Sequence, residues 1–96
     1  MSARPATRRI CALALEFPCM RSKAAMFDPE TFDAEKLEQA SRAWSTGERH
    51  CVAFILAIWS GRKWEECPFD LIEVATGIDR TNLQPIIDWL HNPWTP

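Results

Sequence analysis

No stretch of this sequence is long and apolar enough to span a bilayer. The longest unbroken apolar run, Cys51–Trp59, is nine residues, against the ~18–20 that a membrane helix requires. No two cysteines stand two residues apart. The four lie at 11, 19, 51 and 67, which removes the spacing of a zinc knuckle or a vicinal redox motif. Period-two alternation is never sustained and no Asn-Gly pair occurs, so the signals of strands and hairpins are missing. There are no internal repeats and no low-complexity tracts. Tyrosine is absent, whereas tryptophan occurs five times. Indoles carry a large contact area, so these five must decide much of the packing or the binding.

Enough apolar residues remain, 47% of 96, for a single thin core rather than a disordered chain. Charge is unevenly spread. Residues 1–25 hold five bases against one acid, and residues 26–96 hold six bases against twelve acids. An acidic body opposes general affinity for phosphate backbones. The basic stretch 1–25 contains the six-residue apolar run Ile10–Leu15, closed by Glu16, which is short for a secretory signal. It reads as a flexible leader: a tail, a start placed too early (Met20 and Met26 are alternatives), or a targeting segment, with a folded N-terminal helix as the minor alternative. The body, 26–96, reads as one domain.

In the body, helix punctuation is dense. Asp33 can cap a helix over Ala34–Trp44, with Leu37, Ala40 and Trp44 on one face and Glu35, Lys36, Glu38 and Arg42 on a solvated one. Ser45-Thr46-Gly47-Glu48 matches a capping box. The helix it opens runs to about Ser60, apolar on all sides over 51–59, and stops at Gly61. After the loop 62–67, Pro68 suits the first turn of a third helix, whose apolar face is Phe69, Leu71, Ile72, Val74 and Ala75, ending at Gly77. Leu83, Ile86, Ile87 and Leu90 then recur at helical spacing before Asn92-Pro93. The expected fold is all-α: a compact bundle of three or four helices around the central run Cys51–Trp59.

Chemistry is sparse. His50 and Cys51 are adjacent, so on a helix they point about 100° apart and share one ion poorly. Cys67 with a histidine lacks an orienting third group and a Gly-rich oxyanion turn. Neither a catalytic centre, a metal site nor a cofactor is expected, and the cysteines are expected as free thiols of a cytoplasmic chain. The segment from Leu71 to Leu90, with Thr76-Gly77-Ile78 followed by Asp79 and polar residues, resembles the helix-turn-helix of IclR-type and MarR-type winged-helix regulators. The resemblance covers about twenty residues. It implies that Asp79 caps a recognition helix from which Arg80, Thr81, Asn82 and Gln84 face DNA bases. In that helix Pro85 lies six residues in, where it interrupts the backbone ladder. With Asn82 as cap it would fall in the first turn. The chain also lacks a wing. The competing reading is a tight corner between two core helices.

The aromatic pattern points elsewhere. Trp64 stands between Arg62-Lys63 and Glu65-Glu66, and Trp94 follows Pro93 near the end of the sequence. Such indoles either fold back onto the core or anchor a partner. The expected function is therefore a small non-enzymatic interaction protein. Its acidic, Trp-bearing surface, built from Trp64, Glu65, Glu66, Trp89 and Trp94, binds a protein partner. A truncated helix-turn-helix DNA binder is the alternative.

Overall fold

A computed structural model describes residues 4–96 of the chain. Every regular element among them is helical, as expected. In order these are α1 (Pro5–Glu16), a 3-10 segment (Pro18–Phe27), α2 (Ala34–Ser41), α3 (Thr46–Ser60), α4 (Leu71–Gly77) and α5 (Arg80–His91).

The punctuation in the body works largely as read. The Asp33 carboxylate accepts the Lys36 N–H at 3.1 Å. Ser45 and Glu48 close the capping box, at 3.2 Å for the Glu48 N–H to Ser45 Oγ and 3.1 Å for the Ser45 N–H to Glu48 Oε1. Gly61 ends α3 at φ 72°, where a side chain would be strained. Asp79, not Asn82, caps α5, so Pro85 does lie inside a helix. Its missing N–H leaves the carbonyl of Thr81, an exposed residue, to solvent. Two boundaries differ from expectation. After Ser41 the chain tightens into i→i+3 turns up to Trp44. And α4 starts at Leu71 rather than Pro68, because the Asp70 carboxylate caps it through the Glu73 N–H at 3.1 Å.

The larger correction concerns the leader. Residues 4–25 are not a loose tail. They form α1 and most of the 3-10 segment, and they supply a third of the buried apolar residues: Ile10, Cys11, Leu13, Ala14, Phe17 and Met20. Pro5 occupies the first turn of α1, where its lost N–H has no helical partner anyway. Pro18 holds Phe17 extended at φ −75°, ψ 118°, which turns the chain from α1 into the 3-10 segment. That segment is kinked at Lys23, in keeping with the short reach of 3-10 geometry.

The core is organised on α3, whose Cys51–Leu56 and Ile58 are all buried. Helices α1, α2 and α4 pack on it, and α5 packs on the 3-10 segment. Phe54 is the hub. Its ring meets Phe17 edge-on at 6.1 Å, Phe69 at 5.5 Å and Trp89 edge-on at 5.6 Å. These are favourable aromatic geometries.

One charged group is buried among these elements, besides the polar Ser41 and Asn82. Glu38, expected on a solvated face, is 3% exposed. Arg42 grips its carboxylate through two nitrogens, at 2.9 and 2.7 Å, and Arg49 of α3 adds a third contact at 3.1 Å. Arg49 also donates to the Glu66 carbonyl at 2.8 Å. A carboxylate leaves water only when so compensated. The knot therefore fixes α2, α3 and the 62–67 loop to one another. The Arg42 hydrogen bonds, followed by the charges of Arg42 and Arg49, hold the Glu38 carboxyl below its ordinary range.

Two outcomes are expected. Phe17→Ala should destabilise the protein by about 3–5 kcal/mol, and a chain begun at Met26 should lose cooperative unfolding, both read by thermal melts followed by circular dichroism. Glu38→Gln should cost about 1–3 kcal/mol at neutral pH. Because the folded-state pKa is depressed, the carboxylate's contribution is present above the ordinary glutamate range near 4.5 and is lost as the pH falls through the lower folded value. Denaturant titrations of wild type and Glu38→Gln should thus converge on acidification.

Candidate functional site

Helices α3 and α4 are joined by the loop that carries Trp64, Glu65 and Glu66. The loop is anchored from beneath by Arg49 at the Glu66 carbonyl, by the buried Cys67, and by a turn in which the Cys67 N–H donates to the Trp64 carbonyl at 3.3 Å. Trp64 is half-buried, and Glu65 and Glu66 are exposed. With Glu35, Arg62, Lys63 and Pro68 they line an open cleft of about 650 Å³.

Trp89 and Trp94 lie elsewhere. The Trp89 indole N–H donates to the Trp94 carbonyl at 3.0 Å, which folds the segment after α5 back along that helix. The Arg9 guanidinium of α1 sits 4.1 Å above the Trp94 ring, a cation–π contact. Both indoles are half-buried. The structure thus brings Trp89 and Trp94 together, against α1, and places the Trp64–Glu66 cleft apart from them, since none of the clefts described here is lined by Trp64 together with either.

Between the two lies a feature missed in the sequence. A groove of about 320 Å³ is lined by Phe54, Ile58 and Ile86, by Phe69 and Leu71 before and on α4, and by Trp89 and Leu90 of α5, with Arg62 and Lys63 bordering it. Leu71 and Leu90 are 51% and 52% exposed, and Ile72, next to Leu71 on α4, is 75% exposed. These are the large apolar side chains left in water among the described residues. The signal was present. The expected faces of α4 and α5 carried nine apolar residues, yet only Val74 and Ile86 of them are fully buried. No further helix covers the remainder.

The residues implied by the helix-turn-helix resemblance are differently employed. Arg80, Thr81 and Gln84 are exposed. The Thr81 hydroxyl donates to Asp79 Oδ1 at 2.8 Å, and Gln84 Nε2 donates to Asp88 Oδ1 at 2.8 Å. Asn82 is buried. Its Nδ2 donates to Asp79 Oδ1 at 3.0 Å, and its Oδ1 accepts the Cys19 N–H at 3.0 Å. The Asn82 and Thr81 donors hold the Asp79 carboxyl below its ordinary range. Asn82 therefore joins α5 to the 3-10 segment and is not presented outward as a base reader would be. This could not be foreseen with residues 1–25 read as a leader.

The cysteines are free thiols. Burial pushes Cys11 up to about 11 and raises Cys67 as well. Cys19 and Cys51, 32 positions apart in sequence, lie side by side with their sulfurs 3.6 Å apart. Among the described residues no group of three His, Cys, Asp or Glu side chains gathers to hold a metal ion, and no helix is long and apolar enough to cross a membrane. Comparison with protein families, with curated proteins and with solved structures finds no match to this chain.

Proposed function

We propose that this protein is a non-enzymatic interaction module, and that the groove between α3, α4 and α5 receives a segment of a partner protein. The observation that carries the reading is the pair Leu71 and Leu90, each about half exposed, lining one apolar groove. Full burial of a leucine side chain is worth about 1.5–3 kcal/mol, so an occupant that completes the burial of both gains a useful share of a binding free energy. Trp89 in the wall supplies an aromatic surface of the type that dominates interface hot spots.

The rim sets the chemistry of the occupant. Arg62 and Lys63 border the groove and also the cleft that holds Glu35, Trp64, Glu65 and Glu66. The occupant that fits is an apolar segment with an acidic residue at the Arg62–Lys63 edge. A base further along would reach the Glu65–Glu66 side. Trp64, Glu65 and Glu66 are then the polar margin of the face, and Trp94 serves mainly to hold the end of the chain on α1.

Leu90→Asp should abolish capture of the partner while leaving the melting temperature within a few degrees, since the side chain is already half in water. Wild type and Leu90→Asp are immobilised in parallel, and retained proteins are identified by mass spectrometry and then titrated individually. A protein held at least tenfold more tightly by wild type supports the reading, and identical retention by both overturns it. Steep salt-dependent, sequence-selective DNA binding that disappears in Arg80→Ala would instead establish the helix-turn-helix reading.

A further inference from the structure

Cys19 is the half-buried member of the thiol pair, and Cys51 the fully buried one. Cys19 opens into a polar cleft of about 320 Å³ lined by Ser45, Gly47, Glu48, Gly77, Ile78, Asp79 and Asn82. The cleft is shaped by the first turns of α3 and α5, and it is lined by Cys19 and not by Cys51. The backbone at Cys19 is held by Asn82 through the Cys19 N–H. The next stretch is held by Lys23, which lies 3.7 Å from the Glu48 carboxylate and 4.9 Å above the Trp44 ring. The sulfurs need to close from 3.6 Å to the ~2.05 Å of a disulfide, a movement within the reach of side-chain rotation and a small shift of the 3-10 segment.

We infer that Cys19 and Cys51 form an oxidation site for small hydroperoxides, in which Cys19 is the thiol that attacks the peroxide and Cys51 the resolving one. The Cys19 thiolate attacks one oxygen of the peroxide and the O–O bond breaks. The sulfur becomes a sulfenic acid, and the other oxygen leaves with a proton as water or an alcohol. The Cys51 sulfur then attacks the Cys19 sulfur, the S–O bond breaks, and the hydroxide leaves with the Cys51 proton as water. In sum two thiols are oxidised to one disulfide while one peroxide is reduced.

The division of roles follows from the surroundings. The two thiols are hydrogen-bonded to each other at 3.6 Å, a contact that lowers the pKa of Cys19 against burial and the nearby carboxylates of Glu48 and Asp79. The same contact, together with burial, raises that of Cys51. Access is what separates the two: Cys19 lines the cleft and Cys51 is fully buried, and a peroxide reaches the accessible thiol first. Cys11 and Cys67 are buried, have pKa values raised by burial, and serve as internal controls. The crosslink would join the 3-10 segment to α3 covalently.

The test uses the full chain treated with a small excess of hydrogen peroxide, then denatured and titrated for free thiols. The expected result is a fall from four thiols to two, a Cys19–Cys51 linked peptide in a non-reducing digest, reversal by dithiothreitol, and a rise in melting temperature. Cys19→Ser should retain its three remaining thiols under the same treatment. In Cys51→Ala the sulfenic acid has no partner, so dimedone should label Cys19 there far more than in wild type. Should that variant fail to fold, the linkage map of wild type decides alone. Linkage between other cysteines, only intermolecular dimers, or four unchanged thiols would overturn the proposal. So would equal dimedone labelling in wild type and in folded Cys51→Ala.

Discussion

Seven residues of α3, Cys51 to Leu56 and Ile58, are withdrawn from water, and a helix buried over that much of its circumference needs neighbours on every side. In a chain of 96 residues there are few to spare. Helix α1 takes one side, α2 and α4 take others, and Phe69 and Trp89 close on Phe54. The basic N-terminal stretch is thereby committed to the core. The same requirement explains why a buried carboxylate is tolerated. Glu38 sits where α2 must approach α3, and Arg49, six residues short of the central Ile55, reaches back to satisfy it.

What α3 requires also leaves a remainder. Once α4 and α5 have each contributed a fully buried Val74 or Ile86, several of their other apolar residues are only partly covered or left exposed. The groove and the exposed Leu71, Ile72 and Leu90 are the consequence. An apolar surface retained in this way lowers solubility unless something occupies it. That makes it the natural place to seek a partner in a molecule whose titratable groups otherwise serve caps and ion pairs.

Local chemistry was readable in the sequence and distant pairing was not. Asp33, the Ser45–Glu48 box, Gly61 and Asp79 act within a few residues of themselves, so their effect on helix boundaries can be derived from spacing alone. Helix α1 escaped because it has no capping side chain at Arg4, and its charged flanks resemble those of a leader. Glu38 was misread because a residue eleven positions on, in a different helix, decides its environment. The roles of Asn82 and Cys19 depend on a contact spanning 63 positions. Of the expected interaction residues, Trp64, Glu65, Glu66 and Trp89 lie on the edges of real clefts. The groove between them was signalled only by the apolar surplus of α4 and α5, because which of those residues stay exposed is decided by tertiary packing and has no local signature.

The cation–π contact between Arg9 and Trp94 has a consequence for biosynthesis. Helix α1 precedes every element that covers it, so during translation its apolar face leaves the ribosome well before α3, Asn82 or Trp94 has been made. Until those segments emerge, Ile10, Leu13 and Phe17 have no native surface to bury against, and an exposed face of this kind is a site for chaperones or for aggregation. The helix that seals the core is made before the segments that hold it there, and it is among the last that can be placed.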